Sequence, residues 1–338
     1  MSPAPLVLTR EQILAHRRHV GALNERLPSG AVSLQQAAWA GLQDSMPRAA
    51  VLSIHARVAA TQPTTWEDPS LLQLWGPRFQ VYVVAAQDLA VFSLGRLTDS
   101  SSSRRQGHDL ADRLEAFLGG SKLTDREAAR GLGVGNAIRY AAPTGRVVIR
   151  WEGARAPTIW TVPAPEVDPF EARLELARRY LHIFGPATSD VFAKWAGIGR
   201  REGRAAFDRL EAELTPVRTP IGDRWILTAD EAIFRSAPTS PAPARLLPSG
   251  DAYWLLHGAD RELMVPNVDR RDELWTPRVW PGALLVDGEI VGTWRRAAKK
   301  LDLQTWRALS SGERAAVEAE AQSLPLAGIQ GELVVRWT

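Results

Sequence analysis

Between Asp168 and Thr228 the hydrophobic pattern changes period in a way that spells out a small fold. Leu174, Ala177, Leu181 and Phe184 follow helical spacing until Gly185-Pro186 stops them. Asp168-Pro169-Phe170-Glu171 opens that helix, with a capping carboxylate, a proline suited to the first helical position, and a glutamate placed for a capping box. A short segment, Ser189 to Ala196, ends at Gly197. A third helix is expected from about Arg200 to Leu214, marked by Ala205, Phe207, Leu210 and Leu214. Two short strands, Pro216 to Thr219 and Arg224 to Leu227, join through Gly222-Asp223. Helix, helix, helix and hairpin is the order of a winged helix-turn-helix, whose third helix enters a groove of DNA. The same order also suits a packing or protein-contact module.

The order recurs upstream. Thr9-Arg10-Glu11-Gln12 is a capped helix start followed by Ile13, Leu14 and Val20. After Pro28-Ser29-Gly30, Ser33-Leu34-Gln35-Gln36 has the form of a second capping box, opening a helix through Ala37, Ala38 and Ala40. A third helix spans about Arg48 to Arg57, and Leu71 to Gly76 with Arg78 to Ala85 predicts a hairpin turning at Gly76-Pro77. The stretch from about 104 to 165 repeats the order again. Its helices are Arg105 to Leu118, Thr124 to Ala129 and Asn136 to Tyr140, and its wing is Arg146 to Trp151 with Thr158 to Val162. Residues 237–248 read as a linker opening Ala-Pro-Thr-Ser-Pro-Ala-Pro-Ala. Strand-like runs follow at Ala252 to Leu256, Gly282 to Val286 and Ile290 to Trp294, then a helix from Gly312 to Ser323 and a strand from Leu333 to Trp337. The expected class is α+β: three tandem winged helix-turn-helix modules at 1–103, 104–166 and 167–236, and a small mixed C-terminal domain at 237–338.

Composition narrows the chemistry. The chain has 338 residues, enough for two or three cores, with 45% hydrophobic and 23% charged residues. With no cysteine, disulfides and thiolate metal sites are excluded. No stretch is long and apolar enough to span a bilayer, and a cytoplasmic protein is the default expectation. A net charge of +3 is modest, so a DNA-binding face must come from clustering. Arginines on the expected third helices and wings are the candidates: Arg48, Arg57 and Arg78, then Arg139, Arg146 and Arg155, then Arg200, Arg201 and Arg204. The alternative for each is a solvated helix face. Most of the thirteen tryptophans, Trp151 and Trp160 among them, sit beside strand-like or apolar residues and are expected in the core.

Most other motifs dissolve on inspection. Gly131 to Gly135 lacks the preceding strand and the spacing of a phosphate loop and reads as a turn. His16 and His19 stand three apart on a helix, but no third ligand is visible in the sequence, so no metal is expected. No nucleophile elbow is present. Gln43-Asp44-Ser45 differs, because it packs three hydrogen-bonding side chains into a helix-to-helix junction. One reading is a cap, with Asp44 or Ser45 closing the helix that Met46-Pro47-Arg48 begins.

Ala40-Gly41-Leu42-Gln43-Asp44-Ser45 also resembles the glutamine motif of the winged-helix DNA glycosylases of the AlkZ/YcaQ type. Leu74-Trp75-Gly76-Pro77-Arg78-Phe79, Arg179-Tyr180-Leu181, Phe184-Gly185-Pro186-Ala187-Thr188, Trp195-Ala196-Gly197 and the run Val286 to Arg295 are similar to other signatures of that family. The resemblance implies three winged helices around a concave basic surface that holds duplex DNA. It implies a monofunctional glycosylase, acting without metal or cofactor, that removes bulky alkylated purines or opens interstrand crosslinks. The family motif is Gln, an apolar residue, then Gln or Asp, whose first and third side chains position the attacking water and stabilise the sugar cation. Gln43 matches the first place, Asp44 stands at the apolar place and Ser45 at the third. Three outcomes stay open: catalysis by Gln43 with Asp44, catalysis by Gln43 with Ser45, or a non-catalytic DNA-binding regulator or damage sensor. A protein-interaction scaffold is a more distant reading. A monomer acting at the nucleoid is expected, since three modules in one chain can surround a duplex.

Overall fold

The computed structural model describes residues 6–44, 48–153, 155–236, 242–329 and 331–338. The first third of the chain runs β1 (Leu6–Val7), α1 (Arg10–Val20), α2 (Ala31–Ala37), β2 (Leu42–Gln43), α3 (Ala49–Arg57), β3 (Leu71–Trp75), β4 (Val81–Ala85) and α4 (Leu89–Ser93). Thr9 and Gln12 close the expected capping box on α1. Ser33 caps nothing. Helix α2 starts at Gly30, whose φ of 136° suits a residue without Cβ, and Ser33 lies inside it.

Next come α5 (Ser101–Leu118), β5 (Leu123–Thr124), α6 (Asp125–Leu132), a 3-10 segment (Gly135–Thr144), β6 (Val147–Arg150) and β7 (Thr158–Thr161). Thr124 and Glu127 box the start of α6 as expected. The segment at 135–144 is 3-10 rather than α, with Pro143 inside it removing a donor. Strands from these two stretches share one sheet in the order β2-β4-β3-β6-β7-β5, so the two expected wings are edge-joined where Gln73 faces Ile149.

The central stretch gives α7 (Pro169–Phe184), α8 (Ser189–Ala196), α9 (Arg200–Arg209), β8 (Leu214–Thr219), β9 (Gly222–Leu227) and α10 (Glu231–Arg235). Asp168 caps α7 by accepting from the N–H groups of Phe170 and Glu171. β1 joins this hairpin in parallel through β8. Tyr180, Phe184, Phe192 and Trp195 stack with ring centroids 5.0–6.5 Å apart and anchor the largest core, which also takes in Leu74, Tyr82, Trp254 and Trp275.

The last third holds β10 (Arg245–Leu247), α11 (Asp260–Met264), α12 (Val268–Leu274), β11 (Gly282–Val286), β12 (Glu289–Ala297), β13 (Lys300–Thr305), α13 (Ser311–Gln322) and β14 (Val334–Trp337), with its five strands in one sheet. Two expectations need correction here. The second half of the Pro-rich stretch is a buried strand, because Arg245, Leu246 and Leu247 pair with β11 and the Arg245 guanidinium reaches the Ala56 carbonyl; residues 237–241 lie outside the described residues. Ala252 to Leu256 forms turns, pinned by Asp251, whose carboxylate accepts from the Tyr253 N–H. Trp151 and Trp160 are half-buried rather than core, Trp160 lying under the Lys122 ammonium. The class is mixed α+β. No helix among the described residues is long and apolar enough to cross a membrane.

Candidate active site and nucleic-acid interface

Register decides what the glutamine motif can do. β2 pairs with β4 so that Gln43 faces Tyr82 and Leu42 faces Val83, while β4 pairs with β3 so that Tyr82 faces Leu74 and Val83 faces Gln73. Neighbouring residues on a strand point to opposite faces. Gln43 therefore shares a face with Tyr82, and Asp44 shares the other face with Gln73. Asp44 is 1% exposed. One of its oxygens accepts from the Ala50 N–H at the start of α3 (3.0 Å) and the other from Gln73 Nε2 (3.0 Å), with Arg48 Nη1 at 3.5 Å. Burial pushes its pKa up to about 6 against the pull of those bonds and of Arg48. Asp44 is thus a walled-in cap on α3, not a carboxylate open to water. Ser45 lies outside the described residues.

Gln43 opens the other way. Its Oε1 faces Arg78 Nη2 at 3.3 Å and the buried Tyr82 hydroxyl at 3.5 Å. Arg78 Nη1 lies 2.7 Å from His257 Nε2. Burial, then the charges of Arg78, Lys194 and Arg261, hold His257 down to about 3, so it is neutral and accepts from Arg78. Three cations thus act on one neutral imidazole, which Arg78 links to Gln43. A cleft beside it carries both signs of charge, with Lys194, Arg200, Arg224 and His257 on its wall together with Asp190 and Asp260.

Unusual backbone holds this geometry. Arg78 and Phe79 both adopt positive φ, 54° and 56°, conformations that non-glycine residues keep only where the surroundings enforce them. Three contacts do so. Gly76 N–H donates to the Gln80 carbonyl. Arg96, fully buried, donates to the carbonyls of Trp75 and Ala196 and lies over the Phe79 ring. Gly197, with φ 73°, comes so close that a Cβ would sit 2.9 Å from the Arg78 nitrogen. The Gly76-Pro77-Arg78-Phe79 turn and the Trp195-Ala196-Gly197 helix end therefore meet at Gln43.

The other expected arginines divide by environment. Arg200, Arg201 and Arg204 at the start of α9 are exposed, as is Arg155. Arg139 is half-buried over the Trp75 ring. Arg146 is held by Asp112 and Glu115, which neutralise it. Two need correction as DNA contacts. Arg57 is 3% exposed and forms a two-pronged ion pair with Asp251 at 2.7 and 2.8 Å, so it carries no free charge to the surface. Arg48 lies 3.7 Å over the Trp66 ring and donates to the Trp151 carbonyl, fastening the junction after Asp44 to the second wing. The sequence reading missed Gln73, Tyr82, Lys194, His257 and Arg261. Tyr82 could have been found from strand alternation with Gln43. His257 could not, since 179 residues separate it from Arg78.

A buried amide held by one arginine, linked through that arginine to a histidine on the wall of a cleft that reaches an arginine-rich helix start, suits a protein that receives a polyanion and orients a small polar group beside it. The chain belongs to the AlkZ-like DNA glycosylase family, whose model matches residues 36–325. The interstrand DNA cross-link repair glycosylase of Streptomyces sahachiroi is 24% identical over 340 residues, spanning 88% of this chain and 90% of that protein. The solved structure of Streptomyces sahachiroi DNA glycosylase AlkZ superposes with a TM-score of 0.79 at 21% identity, covering 98% of this chain and all of the other, and shares its fold.

Proposed function

We propose that this chain is a monofunctional DNA glycosylase that hydrolyses the N-glycosidic bond of bulky alkylated purines, including purines within interstrand crosslinks, in duplex DNA. Three winged-helix modules before residue 237 cradle the duplex, and one chain suffices. The reaction needs no metal or cofactor. N-alkylation makes the purine cationic and a good leaving group, so the site has to place a water and favour the developing sugar cation. The observation that carries this reading is the Gln43 amide, held by Tyr82 and by Arg78, whose other nitrogen reaches His257 on the wall of the neighbouring cleft. Its dipole orients the water and faces the sugar. Arg78 and Lys194 hold the flanking phosphates, and the exposed arginines of α9 and Arg155 add contacts along the backbone. Asp44 acts one step removed, by setting the start of α3 and the register of Gln73. The resemblance of the motif assigns Ser45, at its third place, the second part in holding the water. The substrate places the protein with the chromosome in the cytoplasm.

The test is single-turnover release of base from a duplex carrying N7-alkylated guanine, and from one crosslinked through guanine N7. Gln43→Ala is expected to slow release about 100-fold while DNA affinity stays within a few fold. Ser45→Ala is expected to slow it less. DNA binding without release by the unmodified protein overturns the reading in favour of a non-catalytic binder.

A further inference from the structure

His16 and His19 stand one turn apart on α1, yet the fold separates them. His19 is exposed, whereas His16 is 1% exposed and its ring lies flat on Phe234 of α10, with centroids 3.6 Å and planes 6° apart. His182 of α7 meets it edge-on at 6.1 Å. Asp230, just before α10, is buried; its two oxygens lie 2.9 and 3.0 Å from His182 Nδ1, and one lies 3.9 Å from His16 Nε2. One donor atom from each of the three residues falls within 4.8 Å of the other two. Among the described residues, neither ring nitrogen of His16 has a hydrogen-bond partner. A buried imidazole with both nitrogens unsatisfied calls for an explanation.

Nothing packed against the ring among the described residues supplies one: Phe234 and His182 meet it through faces and edges rather than through a hydrogen bond. Two imidazoles and a carboxylate converging on one point are a ligand set for a borderline-soft cation.

We propose that His16, His182 and Asp230 bind one divalent transition-metal ion of the zinc class, which ties α1 to α7 and α10. Tetrahedral zinc holds its N and O ligands roughly 3.3 Å apart for bonds near 2.0–2.1 Å, so the 3.9 Å gap between His16 and Asp230 closes by about half an ångström, and the whole set, spread over as much as 4.8 Å, contracts by up to about 1.5 Å. His182 turns its Nδ1 lone pair to the ion by shifting its proton to Nε2. That shift leaves the charge of the ring unchanged, and the side chain is 23% exposed, so solvent can carry the proton. A water fills the fourth position from the His182 side. The Arg17 guanidinium nearby opposes a cation, but it donates to the carbonyls of Gly185 and Phe184, and Asp230 supplies the compensating charge. This ion is structural and separate from base excision.

The test takes chelator-treated full-length protein and adds Zn2+ or Co2+. One equivalent is expected to bind, the melting temperature to rise by about 5 °C at saturating zinc, and Co2+ to give the visible absorption of a four-coordinate site. His182→Ala and Asp230→Asn are expected to lose all three signals, and His19→Ala to keep them. Absence of stoichiometric binding, or its persistence in both His182→Ala and Asp230→Asn, overturns the proposal. Should a variant fold poorly, the imidazole nitrogen resonances of the unmodified protein decide. Zinc-induced shifts at His16 and His182 support the site; unshifted resonances reject it.

Discussion

Asp44 and Gln43 are neighbours with opposite duties, and the difference is one of solvation. Gln43 is neutral, so it can lie buried against Arg78 without an ionisation penalty. Asp44 is charged at neutral pH and buried, and three hydrogen-bonding partners only partly offset its desolvation. The sign follows directly. A carboxyl whose folded pKa, about 6, lies above its unfolded value of roughly 3.9 stabilises the fold fully below pH ~4, and that contribution is lost as pH rises through 6. Asp44→Asn keeps an oxygen for the Ala50 N–H and does not titrate. Its stability relative to the unmodified protein is expected to climb by about 2–3 kcal/mol between pH 4 and pH 7, read from urea denaturation at each pH. A difference that stays flat across that window would rule out the burial assigned to Asp44. Arg57 is buried too, but the Asp251 carboxylate meets its guanidinium at 2.7 and 2.8 Å, so the two groups pair with each other and neither reaches solvent.

At the scale of elements, the site depends on the close approach of α8's end to the turn between β3 and β4. Gly197 makes that approach, and it also needs the left-handed backbone that glycine tolerates. Gly133 at the end of α6 is a useful contrast: it too has a positive φ, 68°, but a Cβ there would meet nothing within 4 Å. Gly133→Ala is expected to cost about 1 kcal/mol of stability and to leave base excision intact. Gly197→Ala is expected to cost about 2 kcal/mol or more and to slow excision, since the added carbon displaces the Arg78 backbone. Denaturation midpoints and single-turnover rates for the two variants separate a local backbone effect from one that moves the site. Equal loss of activity in both would break the link between Gly197 and Arg78.

Across the whole molecule, the useful cations are those that remain unpaired after folding. A net charge of +3 says little, because Arg57, Arg146, Arg173 and Arg179 are each committed to carboxylates. Arg200, Arg201 and Arg204 are exposed, and among the described residues only Arg200 has a carboxylate within 4.0 Å, that of Asp190. On the proposed reading, replacing all three with alanine lowers the slope of log affinity against log salt by about 2.7, at roughly 0.9 per phosphate contact. Arg146→Ala leaves that slope unchanged. Duplex binding measured from low to moderate salt checks both, and an unaltered slope in the triple variant moves the DNA elsewhere on the surface.

Much of this was written locally. The order of helices and hairpins, the caps at Thr9, Thr124 and Asp168, and the family-like runs at 40–45, 74–79 and 195–197 are visible because helix period, capping and turn chemistry act over a few residues. Local reading failed where a longer-range contact outweighed propensity. Ala252 to Leu256 became turns around Asp251, which Arg57 holds from far along the chain, and the Pro-rich stretch yielded an edge strand once β11 offered its ladder; Ser33 failed for a local reason, since the helix already starts after Gly30. The sequence by itself determined which residues could do chemistry: an amide beside a carboxylate, two histidines one turn apart, and a supply of arginines. Tertiary structure alone decided which of them face outward and which are spent on one another. Strand register turned Gln43 toward Arg78 and sealed Asp44 under α3, and packing of α1 on α7 and α10 gave His16 its two companions. The physical reason is that burial and pairing join residues far apart in the chain, where no short-range pattern records them.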